Sequence, residues 1–433
     1  MTTTAEFDAT DQPVANARAK PARVAFASFI GTAIEWYDFF LFGTASALVF
    51  NKQFFPTMDP AAGTLAAFAT FGVAFAARPV GGIVFGHFGD RLGRKKMLVG
   101  SLLLMGFSTV AIGLLPNYSQ AGVVAPALLV FARLVQGFAV GGEWGGAVLM
   151  AIEHAPARRK AFYGSWPQAG VPAGLVLSSA AFLAVSTLPN DQLVSWGWRV
   201  PFVASIVLVA LGLYVRVRIV ESPDFREVRE SRTISAFPLL DVLKEAKRQV
   251  LVGIGVQAAA SIPFYLVTVF TLSYGPTRLG IPKNDILLCL IVACLLDIGT
   301  VPAVAMIADR FGNRKILMIG SGYMAAIAFP FFWLIGTRSP WLILLAMILI
   351  VTIGHAVTYS AMAGFLGEMF PARLRYTGAS VAYQMSGLIT SGPAPFVAAA
   401  LIATGIGLWA ISAYIVVGCA ISLLALTVGP ARS

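Results

Sequence analysis

Long apolar runs alternate with short polar breaks along the whole chain. Twelve runs stand out, at roughly 24–50, 62–87, 97–115, 122–149, 161–186, 200–219, 249–275, 284–308, 316–336, 341–367, 377–403 and 407–428. A helix rises 1.5 Å per residue, so about 20 apolar residues span the hydrocarbon core of a bilayer. Barrel strands would be half as long and would alternate in polarity, which these runs do not do. In lipid the backbone must pair within itself, and helices do so. The pattern predicts an all-α membrane protein of twelve transmembrane helices.

The longest polar stretch between runs is 220–248, from Glu221 and Asp224 to Lys247 and Arg248. It separates six runs from six. The expected organisation is a cytoplasmic tail over 1–23, a six-helix bundle over 24–219, a cytoplasmic central loop over 220–248 and a second six-helix bundle over 249–433. Asp241 to Arg248 reads as a charged amphipathic turn, so part of the loop is expected as a surface helix. The tail carries Glu6, Asp8, Asp11, Arg18 and Lys20, which fits a solvated segment rather than a cleaved signal.

Composition agrees with the pattern. Of 433 residues, 58% are hydrophobic and 12% charged, against about 25% charged in soluble domains. The net charge of +11 could suggest a nucleic-acid partner. The basic residues instead sit in short loops and alternate in side. Arg91, Arg94, Lys95, Lys96, Arg158, Arg159, Lys160, Arg310, Arg314, Lys315, Arg373 and Arg375 fall on one side, and Lys52, Arg199, Arg278, Lys283 and Arg338 on the other. The basic side is cytoplasmic by the positive-inside rule, which puts both termini there. Cys289, Cys294 and Cys419 lie in apolar runs with no disulfide or metal spacing. There is no Walker loop, dinucleotide fingerprint or Cys/His cluster, so neither an enzyme nor a primary pump is expected. A membrane receptor or enzyme is kept as the alternative of a different class.

Two motifs recur. Asp90-Arg-Leu-Gly-Arg-Lys-Lys96 returns as Asp309-Arg-Phe-Gly-Asn-Arg-Lys315, and Glu153-His-Ala-Pro-Ala-Arg158 as Glu368-Met-Phe-Pro-Ala-Arg373. From 90 to 309 the offset is 219, and from 153 to 368 it is 215. Such parallel repeats are a transporter architecture, with the major facilitator halves as the standard example.

Gly86-His-Phe-Gly-Asp-Arg-Leu-Gly-Arg-Lys-Lys96 resembles the signature loop of the major facilitator superfamily. Its glycines would allow a tight turn and close helix approach. Three further stretches resemble the metabolite:proton symporter family: Gly31-Thr-Ala-Ile-Glu-Trp-Tyr-Asp-Phe-Phe40, Arg133-Leu-Val-Gln-Gly-Phe-Ala-Val-Gly-Gly-Glu-Trp-Gly-Gly146 and Ser195-Trp-Gly-Trp-Arg-Val-Pro-Phe202. Within it, Ala66-Ala-Phe-Ala-Thr-Phe-Gly-Val73 and Gly137 to Gly146 look closest to the shikimate permease group. The resemblance implies two pseudo-symmetric six-helix bundles and alternating access in a bacterial inner membrane. It implies proton symport of a small organic acid with no cofactor beyond the proton gradient, in a monomer whose partners are lipid, an anionic metabolite and a proton. It assigns gating to Gly86, Asp90, Arg91, Gly93 and Arg94, with Arg158, Asp309 and Arg310 in the matching loops.

Ionisable groups inside a bilayer are costly and mark function. Glu35, Asp38, Glu143 and Asp297 fall inside runs, with Arg133 as the central cation. Glu35 and Asp38 are three apart and share a helix face. Burial favours the neutral form of a carboxyl, so such a group can load and release a proton near neutral pH. Asp38 is the first candidate for proton coupling, then Glu35, with Asp297 as a second proton site or a pair across the halves. Arg133 offers a planar fork to a substrate carboxylate and would hold one of the two acids when empty. A permanent Arg133–Asp38 structural pair is the alternative. Gln136, Trp166, Gln168, Gln257, Tyr265, Tyr383 and Gln384 are further substrate contacts or packing residues. Glu143, among glycines, is a gate or a close helix contact. Arg78 is assigned a structural role near the cytoplasmic end of its run, and His355 is a relay or a core residue.

A dicarboxylate, an aromatic acid, or betaine and proline remain as other substrates. One central cation favours a monocarboxylate. Osmosensing carriers of this family end in a long charged tail, and here the chain stops soon after the last run.

Overall fold

The structure is a computed structural model that describes residues 21–92, 94–217, 238–371 and 374–429. Among the described residues, twelve helices are long and apolar enough to cross a membrane, and no strand occurs. They are α1 (Pro21–Leu48), α2 (Pro60–Phe85), α3 (Lys96–Leu114), α4 (Val124–Ile152), α5 (Lys160–Val185), α6 (Arg199–Val217), α7 (Lys247–Leu279), α8 (Lys283–Phe311), α9 (Asn313–Gly336), α10 (Pro340–Met369), α11 (Arg375–Ala403) and α12 (Leu408–Val428). Most ends lie within three residues of the expected ones. Residues 218–237 of the central stretch lie outside the described residues. The expected surface helix follows them at Pro238–Glu245, with Leu240 and Leu243 exposed and Val242 buried.

One local expectation is corrected. The signature motif was read as a glycine turn, yet the helix of α2 continues without interruption through Gly86 and Gly89 to Leu92. A glycine inside a helix costs only about 1 kcal/mol, less than leaving its backbone groups unpaired at the membrane interface. Gly93 itself lies outside the described residues.

The pairing of spans repeats. α1 packs on α5, α2 on α4 and α3 on α6; likewise α7 packs on α11, α8 on α10 and α9 on α12. The two sets meet through α5 with α8 and α2 with α11, which are equivalent under the same exchange. Small residues make the α2–α4 contact possible. A Cβ at Gly137 would fall 2.2 Å from the Ala74 carbonyl oxygen, and one at Gly141 would fall 2.0 Å from that of Arg78. The two backbones therefore touch, as in close membrane helix pairs.

The spans that line the centre are not regular. α4 turns at Gly141–Gly142 between Val124–Val140 and Glu143–Glu153. π-helical turns interrupt α7 at Leu266–Phe270, α10 at Ile348–His355 and α11 at Gly387–Ser391. Such turns shift the register of the side chains that follow and are frequent at functional sites.

Candidate substrate and proton site

Arg78 lines a cavity between the two sets of spans, together with Trp36, Gln257, Tyr265, His355 and Tyr383. It is 2% exposed, and its Nε and Nη2 have no hydrogen-bond partner among the described residues. Its guanidinium carbon lies 4.3 Å from the Phe75 ring centre, 4.4 Å from Phe39 and 5.6 Å from Trp36. Cation–π contact contributes about 0.5–2 kcal/mol per ring. Removing a cation from water costs several kcal/mol. The rings alone do not offset that, and the free fork suits an anion.

Two readings of the sequence change here. Arg78 was given a structural role near the end of its run. Its span ends at Phe85, yet the side chain is buried on the cavity lining. Arg133 was expected to hold the substrate or an acid. It is fully buried away from the cavity, 4.1 Å from the Phe42 ring centre, 4.4 Å from Phe39 and 5.2 Å from Phe71. Its Nη1 donates to Gln136 Oε1, and Gln136 Nε2 donates to Thr109 Oγ1 at 2.8 Å. No ion pair joins Arg133 to Asp38 or Glu35 among the described residues, because aromatic rings fill the space around the guanidinium. Gln136 is likewise outside the cavity lining.

Asp38 is fully buried, and neither carboxyl oxygen has a hydrogen-bond partner among the described residues. Thr109 stands beside it, but its hydroxyl already donates to the Met105 carbonyl and accepts from Gln136. Glu35, 4% exposed, lies within electrostatic reach of Arg216 and Arg78. Arg216, buried near the end of α6, ion-pairs with Glu143 and donates to the Leu98 carbonyl. Gly31 makes room for it, since a Cβ there would sit 3.3 Å from Nη2. Glu143 is thus one half of an ion pair within the first six spans. The sequence reading missed Arg216 because it stands three residues before the end of its apolar run, where a snorkelling arginine is ordinary.

In the second set, Asp297 pairs with His355 on the neighbouring α10, Oδ2 to Nδ1 at 2.7 Å; it does not pair across the halves. Of the expected substrate contacts, Gln257, Tyr265 and Tyr383 line the cavity. Tyr383 shares a 2.8 Å hydroxyl hydrogen bond with Tyr359. Trp166 packs edge-on against Phe26 and Phe29, and both it and the buried Gln168 lie off the cavity lining.

Toward the basic loops the cavity is closed by the flat stack of Trp144 on Tyr383, with centres 3.8 Å apart. Gln384 Nε2 donates to the Gly141 carbonyl at 2.8 Å, and the Tyr376 hydroxyl to that of Gly142 at 3.2 Å. Gln384 is therefore a closure contact rather than a cavity residue. Nearer the loops, Asp309 accepts from the Ala161 and Phe162 amides at 2.9 and 3.0 Å. A carboxylate there satisfies free amides and meets the positive end of α5. Arg158 and Arg310 are exposed, and the side chains of Asp90, Arg91 and Arg94 lie outside the described residues. At the other end α1 meets α7, with Phe40 5.9 Å from Phe264, and a Cβ at Gly72 would sit 3.1 Å from the Gly392 carbonyl. The cavity between these closures leaves about 20 Å³ for the centre of a water-sized sphere, room for one water and not for an organic acid. Contacts between the two sets of spans flank it on both sides.

Residues 28–395 match the family model described as Major Facilitator Superfamily. The chain belongs to that superfamily. It is 44% identical over 410 residues to the inner membrane metabolite transport protein YhjE of Escherichia coli K12, covering 93% of each chain. It is 43% identical over 406 residues to the shikimate transporter of the same organism, again covering 93% of each. The partially occluded inward-open structure of the E. coli xylose transporter XylE superposes with a TM-score of 0.71 at 19% identity, covering 94% of this chain and 96% of that one. That likeness concerns the fold. The protein is a secondary transporter of metabolites in a membrane, not an enzyme.

Proposed function

We propose that this protein is a proton-coupled symporter of a small organic acid, a shikimate-like hydroxylated monocarboxylate, in a bacterial inner membrane with both termini cytoplasmic. The observation that carries this reading is the buried, unpartnered fork of Arg78 on the central cavity. A substrate carboxylate meets it with two charge-assisted hydrogen bonds. Gln257, Tyr265 and Tyr383 supply partners for hydroxyl groups, and Trp36 and Phe264 supply flat surface for a ring. Identity to a relative named shikimate transporter supports this substrate class.

Coupling follows from charge. Glu35 is held among cations that include Arg78. When a substrate carboxylate neutralises Arg78, Glu35 loses that support and is free to take up a proton, and Asp38 beside it is the second buried carboxyl that can hold one. The loaded cavity is then close to neutral, which lowers the electrostatic barrier to exposing it on the other side. The Trp144–Tyr383 layer and the Asp309 cap are the contacts that must part toward the cytoplasm.

The test is uptake into proteoliposomes under an imposed pH gradient, over a panel of shikimate, quinate, 2-oxoglutarate and betaine. The expected result is gradient-driven accumulation of a hydroxylated monocarboxylate. Accumulation of betaine alone would overturn the reading.

A further inference from the structure

Asp297 and His355 form a second buried titratable pair that substrate binding at Arg78 does not use. Asp297 is completely enclosed, and His355 Nδ1 is its partner. Thr300 adds a weak contact at 3.3 Å but directs its hydroxyl to the Thr352 carbonyl at 3.0 Å. His355 lines the central cavity, and with Nδ1 engaged, Nε2 is the nitrogen left for the cavity side. The ring stacks with Phe264, centres 4.2 Å apart, and with Tyr359, centres 4.8 Å apart. It ends the π-helical turn Ile348–His355, which sets its direction.

Cys294 on α8, Tyr359 on α10, Tyr265 on α7 and Tyr383 on α11 are the titratable groups near the pair, and Arg78 on α2 is a cation on the same cavity lining. Tyr323 on α9 donates to the Leu349 carbonyl on α10, and α5 brings Ala169 against Ala356 and Val301. No lysine or arginine acts on Asp297 among the described residues. His355 is thus its counter-charge.

We propose that Asp297 and His355 bind one transported proton in the second six-span set, loaded and released through His355 Nε2 when the cavity opens. With the proton aboard, the pair is an imidazolium–carboxylate with no net charge. Without it, an uncompensated carboxylate is buried, which is strongly unfavourable. The closed state therefore retains the proton, and release requires water at the imidazole. Opening of the cavity supplies that water, so protonation is tied to the transport cycle. The stacking of His355 on Phe264 and Tyr359 covers the faces of the ring until then, and the cavity has room for no more than one water.

This inference rests on proton coupling, and its test separates the two. In proteoliposomes, the proton-to-substrate ratio is measured for the wild type, Asp297→Asn and His355→Gln, with substrate counterflow as the check on folding and binding. Both variants are expected to lose one proton per substrate, and Asp297→Asn, which lies off the cavity lining, to keep counterflow. An unchanged ratio in variants with intact counterflow overturns the inference; a wild type with no proton movement overturns the underlying function instead. The chain has three histidines, so imidazole NMR of the labelled full-length protein gives a second readout that needs no folded Asp297 variant. The His355 ring signals are expected to move when substrate is added. Ring signals that stay unchanged on substrate addition overturn the inference.

Discussion

The guanidinium carbon of Arg78 lies 4.4 Å from the centre of the Phe39 ring. Arg133 stands at the same distance from that ring, but only Arg78 lines the cavity. Phe39 therefore divides two arginines into two environments. Replacing Arg78 with Gln removes a charge-assisted bidentate contact, of about 1.5–3 kcal/mol, so apparent substrate affinity is expected to fall roughly 10- to 150-fold. Arg78→Lys keeps charge without the fork and is expected to recover only part. Arg133→Gln is expected to leave apparent affinity within about threefold, while lowering the amount of folded protein. Substrate-concentration series of initial uptake check all three.

Asp38→Asn removes a carboxyl that no described residue satisfies. It is expected to abolish accumulation against a gradient while sparing exchange of internal for external substrate. Glu35→Gln is expected to do the same less completely, since Glu35 also faces Arg216. Parallel net-uptake and counterflow assays check this. Wild-type accumulation by Asp38→Asn would show that another carboxylate carries the proton.

The Glu143–Arg216 pair is buried on both sides, at 2% and 6% side-chain exposure. Removing one partner of a buried pair costs about 3–5 kcal/mol, whereas removing both is far milder. Arg216→Met is expected to lower the midpoint of thermal unfolding in detergent clearly, and adding Glu143→Gln to restore most of it. Additive losses would mean that the two charges do not depend on each other.

Gly141 and Gly100 test the helix contact. A Cβ at Gly141 would lie 2.0 Å from the Arg78 carbonyl oxygen, whereas one at Gly100 would meet nothing within 4 Å. Gly141→Ala is expected to force α2 and α4 apart and to displace Arg78, with loss of both stability and uptake. Gly100→Ala is expected to be neutral or slightly stabilising, as a helix-interior glycine replaced by alanine. Thermal unfolding and uptake of the two variants decide it.

The spans were legible because a membrane crossing imposes length and apolarity on the sequence directly. The acids were legible for a related reason, since Glu35, Asp38, Glu143 and Asp297 stand out against apolar neighbours. Their partners were not. Arg78 was set aside for its place toward the end of its run, whereas its burial on the cavity is decided by the helices packed around it. Arg133 is enclosed by the Phe39, Phe42 and Phe71 rings off the cavity lining, which spacing along one helix does not report. His355 joins Asp297 across 58 positions and through a π-helical turn, and neither leaves a local sequence signal. Trp144 stacking on Tyr383 is a contact between the two sets of spans, visible only once they are assembled.

The most direct measurement is of the proton itself. Lightly buffered proteoliposomes containing the purified protein, with no initial pH gradient, receive labelled shikimate outside while external pH is recorded. External alkalinisation that tracks uptake of label, and that disappears in Asp38→Asn, is the expected result. Uptake of label with no change in external pH would contradict proton-coupled symport.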